Sequence, residues 1–278
     1  MSRPRRHQRL QVMACRELGA DLFHLILRLE SGHGEALAFA AGQFAQLAVP
    51  GHVLPRPFSI LRSSNESLEF LVRRVGTGSA WLCSRRPGEE IPVLWPLGNS
   101  FLENLPPEAG EEELLLVGGG VGIAPLLAFQ EQWNGEKRLL FGHRDAASVK
   151  ACLPIMGKAQ PLLSTEDGSH GVHGRVTRLL EIVLEEEADR PRRILCCGPD
   201  AMMAAVAALA KARHLPCLLS LETLMGCGIG ICVGCAVPLA SGQKALACQA
   251  GPVFHANALA ESAKDPAPPH SCACGGRP

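Results

Sequence analysis

Leu114-Leu115-Leu116-Val117-Gly118-Gly119-Gly120-Val121-Gly122-Ile123-Ala124-Pro125 is the stretch that decides the fold. A short apolar run bounded by glycines reads as a buried strand. Behind the glycine turn, Ala124–Trp133 reads as a helix, and Pro125 suits a first helical turn. Glycines at such a turn let a diphosphate approach the backbone. The following helix start offers free N–H groups and partial positive charge. No Gly-Lys-Ser/Thr closes the loop, so it is not a Walker A loop. Gly118, Gly119, Gly120 and Gly122 are therefore candidate nucleotide contacts.

Toward the C-terminus the pattern repeats. Leu139–Gly142 reads as a strand, Val176–Glu187 as a helix, Ile194–Cys197 as a strand and the Ala-rich Ala201–Arg213 as a helix. Alternating strands and helices predict a parallel α/β domain, assigned to residues 105–215. Cys197-Gly198-Pro199 ends one strand, where open α/β sheets place ligands. On spacing alone, Cys197 reads equally well as a buried strand terminus. Ser164–Gly168 is a further polar turn at a strand end.

Toward the N-terminus the period changes. Leu22–Leu29, Phe44–Val49, Leu68–Val72 and Ile91–Leu94 are short apolar alternations punctuated by Gly and Pro. They predict an antiparallel β-barrel over residues 1–104. Arg3, Arg5, Arg6 and Arg9 read as a solvated end, and Glu103–Glu113, with Pro106-Pro107, as a linker. Arg56-Pro57-Phe58-Ser59 is expected to end one barrel segment, with Arg56 and Phe58 on one face. An arginine there can pair a phosphate beside a flat ring. Leu71-Val72-Arg73 follows, and Gly76-Thr77-Gly78-Ser79 opens a helix near Trp81. Gly78 and Ser79 can offer N–H and hydroxyl donors to a diphosphate, although on their residues alone this segment and Arg56–Ser59 read first as an ordinary strand and helix cap.

Composition narrows the function. Lys+Arg and Asp+Glu both total 27 among 278 residues, so no global field recruits nucleic acid. No apolar run approaches the roughly 20 residues that span a bilayer. The start lacks a continuous apolar signal region, and a twin-Arg reading of Arg5-Arg6 fails on the polar residues after it. The chain is expected to be cytoplasmic. Twelve cysteines in such a chain point to metal or redox chemistry more than to disulfides. Cys15, Cys83, Cys152 and Cys217 read as small core residues, and Cys272 and Cys274 lie in a Pro/Gly-rich tail, 261–278, expected to be disordered.

Cys227, Cys232 and Cys235 are spaced C-x4-C-x2-C, with Cys248 further on, in a Gly-rich module assigned to residues 216–260. That is the plant-type spacing of a [2Fe-2S] cluster. Gly226, Gly228, Gly230 and Gly234 let the loop curl tightly enough for N–H groups to reach the sulfurs. A tetrahedral zinc site also accepts four cysteines, although zinc knuckles usually present paired C-x2-C units and only one occurs here. A zinc-stabilised binding module is thus the alternative of a different class.

Taken in order, these segments resemble the ferredoxin–NADP reductase superfamily, and within it the dihydroorotate dehydrogenase electron-transfer subunits. The resemblance runs from about residue 10 to residue 257 and includes Pro96-Leu97-Gly98-Asn99. Its most specific part is Glu222 and Met225-Gly226-Cys227-Gly228-Ile229-Gly230, the three further cysteines, and Gly251-Pro252-Val253-Phe254. It implies FAD on the barrel, held at Arg56, Pro57, Phe58, Ser59, Leu71, Val72, Arg73, Gly78 and Ser79. It implies NAD(H) at Gly118–Gly122 and Cys197-Gly198-Pro199, and a [2Fe-2S] cluster on Cys227, Cys232, Cys235 and Cys248. No catalytic side chain is implied. The implied function is an oxidoreductase subunit passing electrons from NADH to the FMN of a dihydroorotate dehydrogenase catalytic subunit, in a heterotetramer serving pyrimidine biosynthesis. A diaphorase subunit feeding ferredoxin, a hydrogenase or a sulfur reductase is the alternative. Three positions depart from the family: Ser79 for Thr, Ala250 for Asp, and Ala124-Pro125 for Pro-Pro.

Overall fold

The computed structural model describes residues 5–29, 39–186 and 190–261. Arg3, Glu187 and the tail cysteines Cys272 and Cys274 lie outside the described residues. A closed barrel comes first, built from β1 (Arg6–Gly19), β2 (Leu22–Arg28), β3 (Phe44–Leu47), β4 (Arg56–Ser63), β5 (Ser67–Arg73) and β6 (Glu90–Leu97). Its hydrogen-bonded order is β1-β2-β5-β4-β3-β6, and every pair is antiparallel. Leu25, Leu27, Ile60, Leu68, Phe70, Ile91 and Val93 fill it. Between β5 and β6 lies the short helix α1 (Thr77–Cys83).

Two expectations change here. The Arg-rich start is a strand, not a solvated end: Arg6 to Gln11 pair with β6, and Trp95 Nε1 donates to Gln8 Oε1 at 3.2 Å. Charged residues occupy its outer face while Leu10 and Val12 point into the core. Arg56-Pro57-Phe58-Ser59 begins β4 rather than ending a segment.

The linker Glu103–Glu113 contributes short 3-10 turns at Leu102–Asn104 and Pro107–Glu111. The sheet that follows contains β7 (Glu113–Gly119), β8 (Lys137–His143), β9 (Leu162–Thr165), β10 (Val172–His173), β11 (Arg192–Cys197) and β12 (Cys217–Ser220). The helices between them are α2 (Ile123–Gln132), α3 (Ala146–Met156), α4 (Val176–Glu185) and α5 (Asp200–Ala212). Parallel pairing runs in the order β10-β9-β8-β7-β11-β12. α3 has no clear sequence signature because Pro154 interrupts its period, yet Asp145 caps it by accepting from Ser148 N at 2.8 Å. Glu113 is a second surprise. This buried first residue of β7 accepts from Arg192 Nε at 2.8 Å and Arg138 Nε at 3.0 Å, pinning the ends of three strands.

Beyond β12 the chain forms the hairpin β13 (Ala236–Pro238) and β14 (Lys244–Leu246). It then returns as β15 (Val253–His255), antiparallel to β12 at the sheet edge. The sheet founded by residues 105–215 is thus completed by two strands from beyond them. The barrel docks along α2: Arg62 Nε donates to Glu131 at 2.6 Å, Ala41 N donates to Gln132 Oε1 at 2.8 Å, and Phe101 meets Phe129 edge to face. Cys83, Cys152 and Cys217 are core residues, whereas Cys15 is half-buried and donates to the Cys83 carbonyl. Desolvation pushes the Cys83 and Cys152 thiols up to about 12, which keeps them protonated. Among the described residues no helix is long and apolar enough to cross a membrane.

Candidate functional site

Three segments converge where the barrel meets the sheet. On the barrel, Arg56 at the start of β4 is held by two contacts from the preceding loop. Its Nη1 donates to the Leu54 carbonyl at 2.9 Å, and its Nη2 to His52 Nδ1 at 3.1 Å. A Cβ on Gly78 would stand 2.9 Å from Arg56 Nε, so the missing side chain lets the guanidinium lie against the start of α1. His52 Nε2 also reaches Thr77 Oγ1 at 3.4 Å, tying loop, arginine and helix together. Guanidinium and helix start fit a diphosphate. The Ser79 hydroxyl does not reach outward as expected. It accepts from Val75 N at 2.9 Å and Gly76 N at 3.0 Å, so it shapes the turn. Leu71 and Val72 point into the core, leaving only their main chain for contacts. Phe58 packs on the same core. Pro57 and Ser59 pair with Gln46 and Phe44 of β3.

On the sheet, Gly118 stands opposite Cys197 in the β7–β11 register, so the two glycine-bearing turns are adjacent. A Cβ on Gly122 would lie 2.4 Å from the Cys197 carbonyl oxygen, and one on Gly119 2.4 Å from Met202 Sδ. These glycines let the turns pack together. Gly120 is different: its φ is +56° and nothing lies within 4 Å of its Cβ position, so it faces open space. Cys197 is buried, and desolvation, then the Glu222 charge, raise its thiol to about 12, opposed by the Ser220 hydroxyl. Burial, then the like charge of Asp200, raise the Glu222 carboxyl, although solvent still reaches that side chain at the cleft mouth. The charge of Arg73, at the end of β5, opposes the Glu222 shift and reinforces a downward shift at His143.

Two members of this cleft, His143 and Asp200, carried no sequence signal. His143 ends β8 with Nδ1 accepting from Arg144 N at 2.9 Å and Nε2 buried without a partner. Desolvation, then Arg73, hold its imidazole below the ordinary range. His52 was equally silent, because its role depends on where the loop folds.

The cysteines stand as two pairs. Cys227 Sγ accepts from the backbone N–H groups of Ile229, Ile231 and Cys232 at 3.3–3.4 Å, and Cys227 N donates to Cys232 Sγ at 3.4 Å. Cys235 Sγ lies 3.3 Å from Cys248 Sγ. Against the upward push of desolvation, those N–H groups draw the Cys227 thiol down to about 6. Among the described residues no three potential ligands converge as a single-ion site. Two thiol pairs suit a two-iron cluster, which takes two thiolates per iron, and the inward-pointing N–H groups suit its charge. Beneath the loop lie barrel residues: a Cβ on Gly228 would meet Gln46 Cγ at 2.9 Å and Leu97 Cδ1 at 3.0 Å. Above it Cys232 is exposed. Leu224, Ile231 and Val233 are 74%, 76% and 57% exposed around it. Asn99 locks the arrangement, donating to the Ala250 and Val253 carbonyls and accepting from Val253 N, each at 2.9 Å.

Comparison with known proteins agrees with this geometry. Residues 222–260 match the iron-sulfur cluster binding domain of dihydroorotate dehydrogenase B. The dihydroorotate dehydrogenase B (NAD(+)) electron transfer subunit of Streptococcus pneumoniae is 32% identical over 261 residues, covering 90% of this chain and 96% of its own. The Geobacillus kaustophilus subunit is 36% identical, over 77% of this chain and 84% of its own. Among solved structures, an NADH-dependent reduced ferredoxin-NADP oxidoreductase, described for flavin-based electron bifurcation, superposes with a TM-score of 0.76. It is 26% identical and covers 91% of this chain and 90% of its own. A Neisseria gonorrhoeae ferredoxin NADP+ reductase shares the fold with a TM-score of 0.60 at 20% identity, over 74% of this chain and 91% of its own.

Proposed function

The chain belongs to the dihydroorotate dehydrogenase B electron transfer subunits, and from that membership we propose its place in a redox chain. It carries electrons from NADH through FAD and a [2Fe-2S] cluster to the FMN of a catalytic dihydroorotate dehydrogenase subunit. The assembly is a cytoplasmic heterotetramer serving pyrimidine biosynthesis. A bound FAD would supply the chemistry that joins a two-electron hydride donor to a one-electron acceptor.

This chain's own residues do the positioning. Arg56, braced by His52 and by Gly78, holds the flavin diphosphate at the start of α1. Pro57, Phe58, Ser59 and the main chain of Leu71 to Arg73 line the flavin. The turns Gly118–Gly122 and Cys197–Pro199 form one floor for the nicotinamide nucleotide, with Gly120 leaving it open. Cys227 and Cys232, with Cys235 and Cys248, ligate the cluster. The N–H groups of Ile229, Ile231 and Cys232 favour the thiolate at Cys227.

The observation that carries the reading is the cysteine loop itself. Its inner side rests on flavin-strand neighbours Gln46 and Leu97, and its outer side is an exposed apolar rim. An electron exit needs both sides. Such a rim on a soluble fold marks a docking surface, and the catalytic subunit is the partner it fits. Purification of the native complex, with FAD, FMN, iron and sulfide counted together, tests this. Recovery of an FMN-containing dihydroorotate dehydrogenase is expected. Hydrogenase-type subunits without FMN would overturn the proposal.

A further inference from the structure

We propose that the side-chain amide of Gln46 is the barrel's hydrogen-bond donor to the iron–sulfur cluster, setting its reduction potential from the flavin side. The inference rests on the cluster reading of Cys227, Cys232, Cys235 and Cys248. Gln46 is 2% exposed, and both its Nε2 and its Oε1 are buried without a hydrogen-bond partner. Burying an amide with neither end bonded is unfavourable, so such a group points to a ligand. Its neighbours in the barrel give it none: Pro57 stands opposite on β4 and Leu94 on β6, and neither side chain carries a polar atom.

The amide lies instead against the cysteine loop. Gly228, next to Cys227, has φ +70°, and a Cβ there would stand 3.1 Å from Gln46 Nε2. Only glycine lets the loop settle so closely on this side chain. The other amide at the loop is already committed, because Gln249 Nε2 donates to the Ile229 carbonyl at 3.2 Å and so holds backbone. The loop's own N–H groups of Ile229, Ile231 and Cys232 already reach Cys227 Sγ. Gln46, lying under Gly228 with its amide uncommitted, is placed to supply a further donor from the barrel. A donor aimed at cluster sulfur stabilises the added electron and raises the potential.

The test uses the full chain with FAD and cluster bound. Reduced protein carrying glutamine labelled with 15N in the side-chain amide is examined by pulsed EPR, in a Gln249→Glu background. Expected is a side-chain nitrogen coupling to the cluster spin. Its absence would overturn the inference without any change at Gln46. EPR-monitored titration of Gln46→Met, near-isosteric and without donors, is the second arm. The cluster midpoint should fall while iron content and the flavin midpoint stay put, and an unchanged cluster midpoint counts against the inference. Wild-type protein lacking iron and sulfide would instead remove the cluster reading beneath it.

Discussion

Replacing Gly122 with alanine separates the packing role of the nucleotide turn from its backbone conformation. Gly122 has φ −63°, an ordinary helical value, so alanine meets no conformational penalty there. The difficulty is space. The new Cβ would stand 2.4 Å from the Cys197 carbonyl oxygen, 2.5 Å from its carbon and 2.6 Å from Gly198 N. Overpacking a core costs about 1–3 kcal/mol when side chains can give way. Here the opposing atoms are all main chain, and they belong to the end of a central strand. The loss should therefore reach the top of that range, about 3 kcal/mol. Gly120→Ala is the matched control, with φ +56° and nothing within 4 Å of its Cβ. Its cost is conformational only, about 1–2 kcal/mol. Urea unfolding of the FAD-loaded protein compares the two, and NADH-dependent dye reduction reads the site. Parting the two turns also displaces the nucleotide floor. Small displacements of this kind cost up to about 100-fold in rate, so kcat/KM for NADH should fall at least about tenfold in Gly122→Ala. A Gly122→Ala loss below that of Gly120→Ala, with NADH kinetics intact, would refute the close-packing argument.

Other expectations follow from the same geometry. Cys232→Ser should spare NADH oxidation by artificial dyes but abolish transfer to the catalytic subunit; transfer that survives would take the cluster off the path. Arg56→Ala should chiefly lower FAD occupancy, read as flavin absorbance per protein after gel filtration, and unchanged flavin content would remove Arg56 from the site. Glu113→Ala leaves the buried Arg192 without its carboxylate, so unfolding should lose about 3–5 kcal/mol; a loss under about 1 kcal/mol would show that the cation finds water. His143 is held below the ordinary histidine value of about 6.5. Below that pH the unfolded chain takes up the proton first, so this contribution to stability is whole above about 6.5 and is lost as pH falls toward the lower native value. His143→Asn should flatten the decline in urea midpoint between pH 7.5 and pH 5.5, and an unaltered slope would place the titration elsewhere.

The legible parts of this chain were those whose chemistry is local. Glycine turns at strand ends and the C-x4-C-x2-C spacing are short-range constraints, and the glycine turns do stand at the ends of β7 and β11. What escaped was set by tertiary partners. β1 was hidden because its outer face is polar, with His7, Arg9 and Gln11, and a strand facing water on one side can carry charge without losing its inner Leu10 and Val12. α3 was hidden by Pro154 inside it. Ser79 read as an outward donor because sequence cannot say that Val75 and Gly76 would use its hydroxyl first. Gln46 carries no signal in the sequence, because only the arrival of Gly228 gives it meaning.

The arrangement explains why the iron–sulfur module is not an independent appendage. An electron path needs fixed separations between its stations. A hinged cluster domain would leave the barrel-to-loop distance to thermal motion. Here the loop rests on β3 and β6 through Gln46 and Leu97, while Asn99, just past β6, grips the chain at Ala250 and Val253. The same chain then enters the sheet as β15, next to β12 and three strands from the glycine turn of β7. The barrel is therefore the shared wall: β5 contacts the glycine turn at Gly120–Gly122, and β3 meets the cysteine loop at Gly228. Close-packed β-structure transmits little strain-free motion, so both ends of the path are referred to one rigid body. Loosening should thus act in one direction. Asn99→Ala should slow transfer from flavin to cluster while leaving flavin reduction by NADH at its wild-type rate, and stopped-flow spectra that separate flavin from cluster bleaching distinguish the two. Equal slowing of both steps would mean that the anchor holds the whole fold and not the spacing.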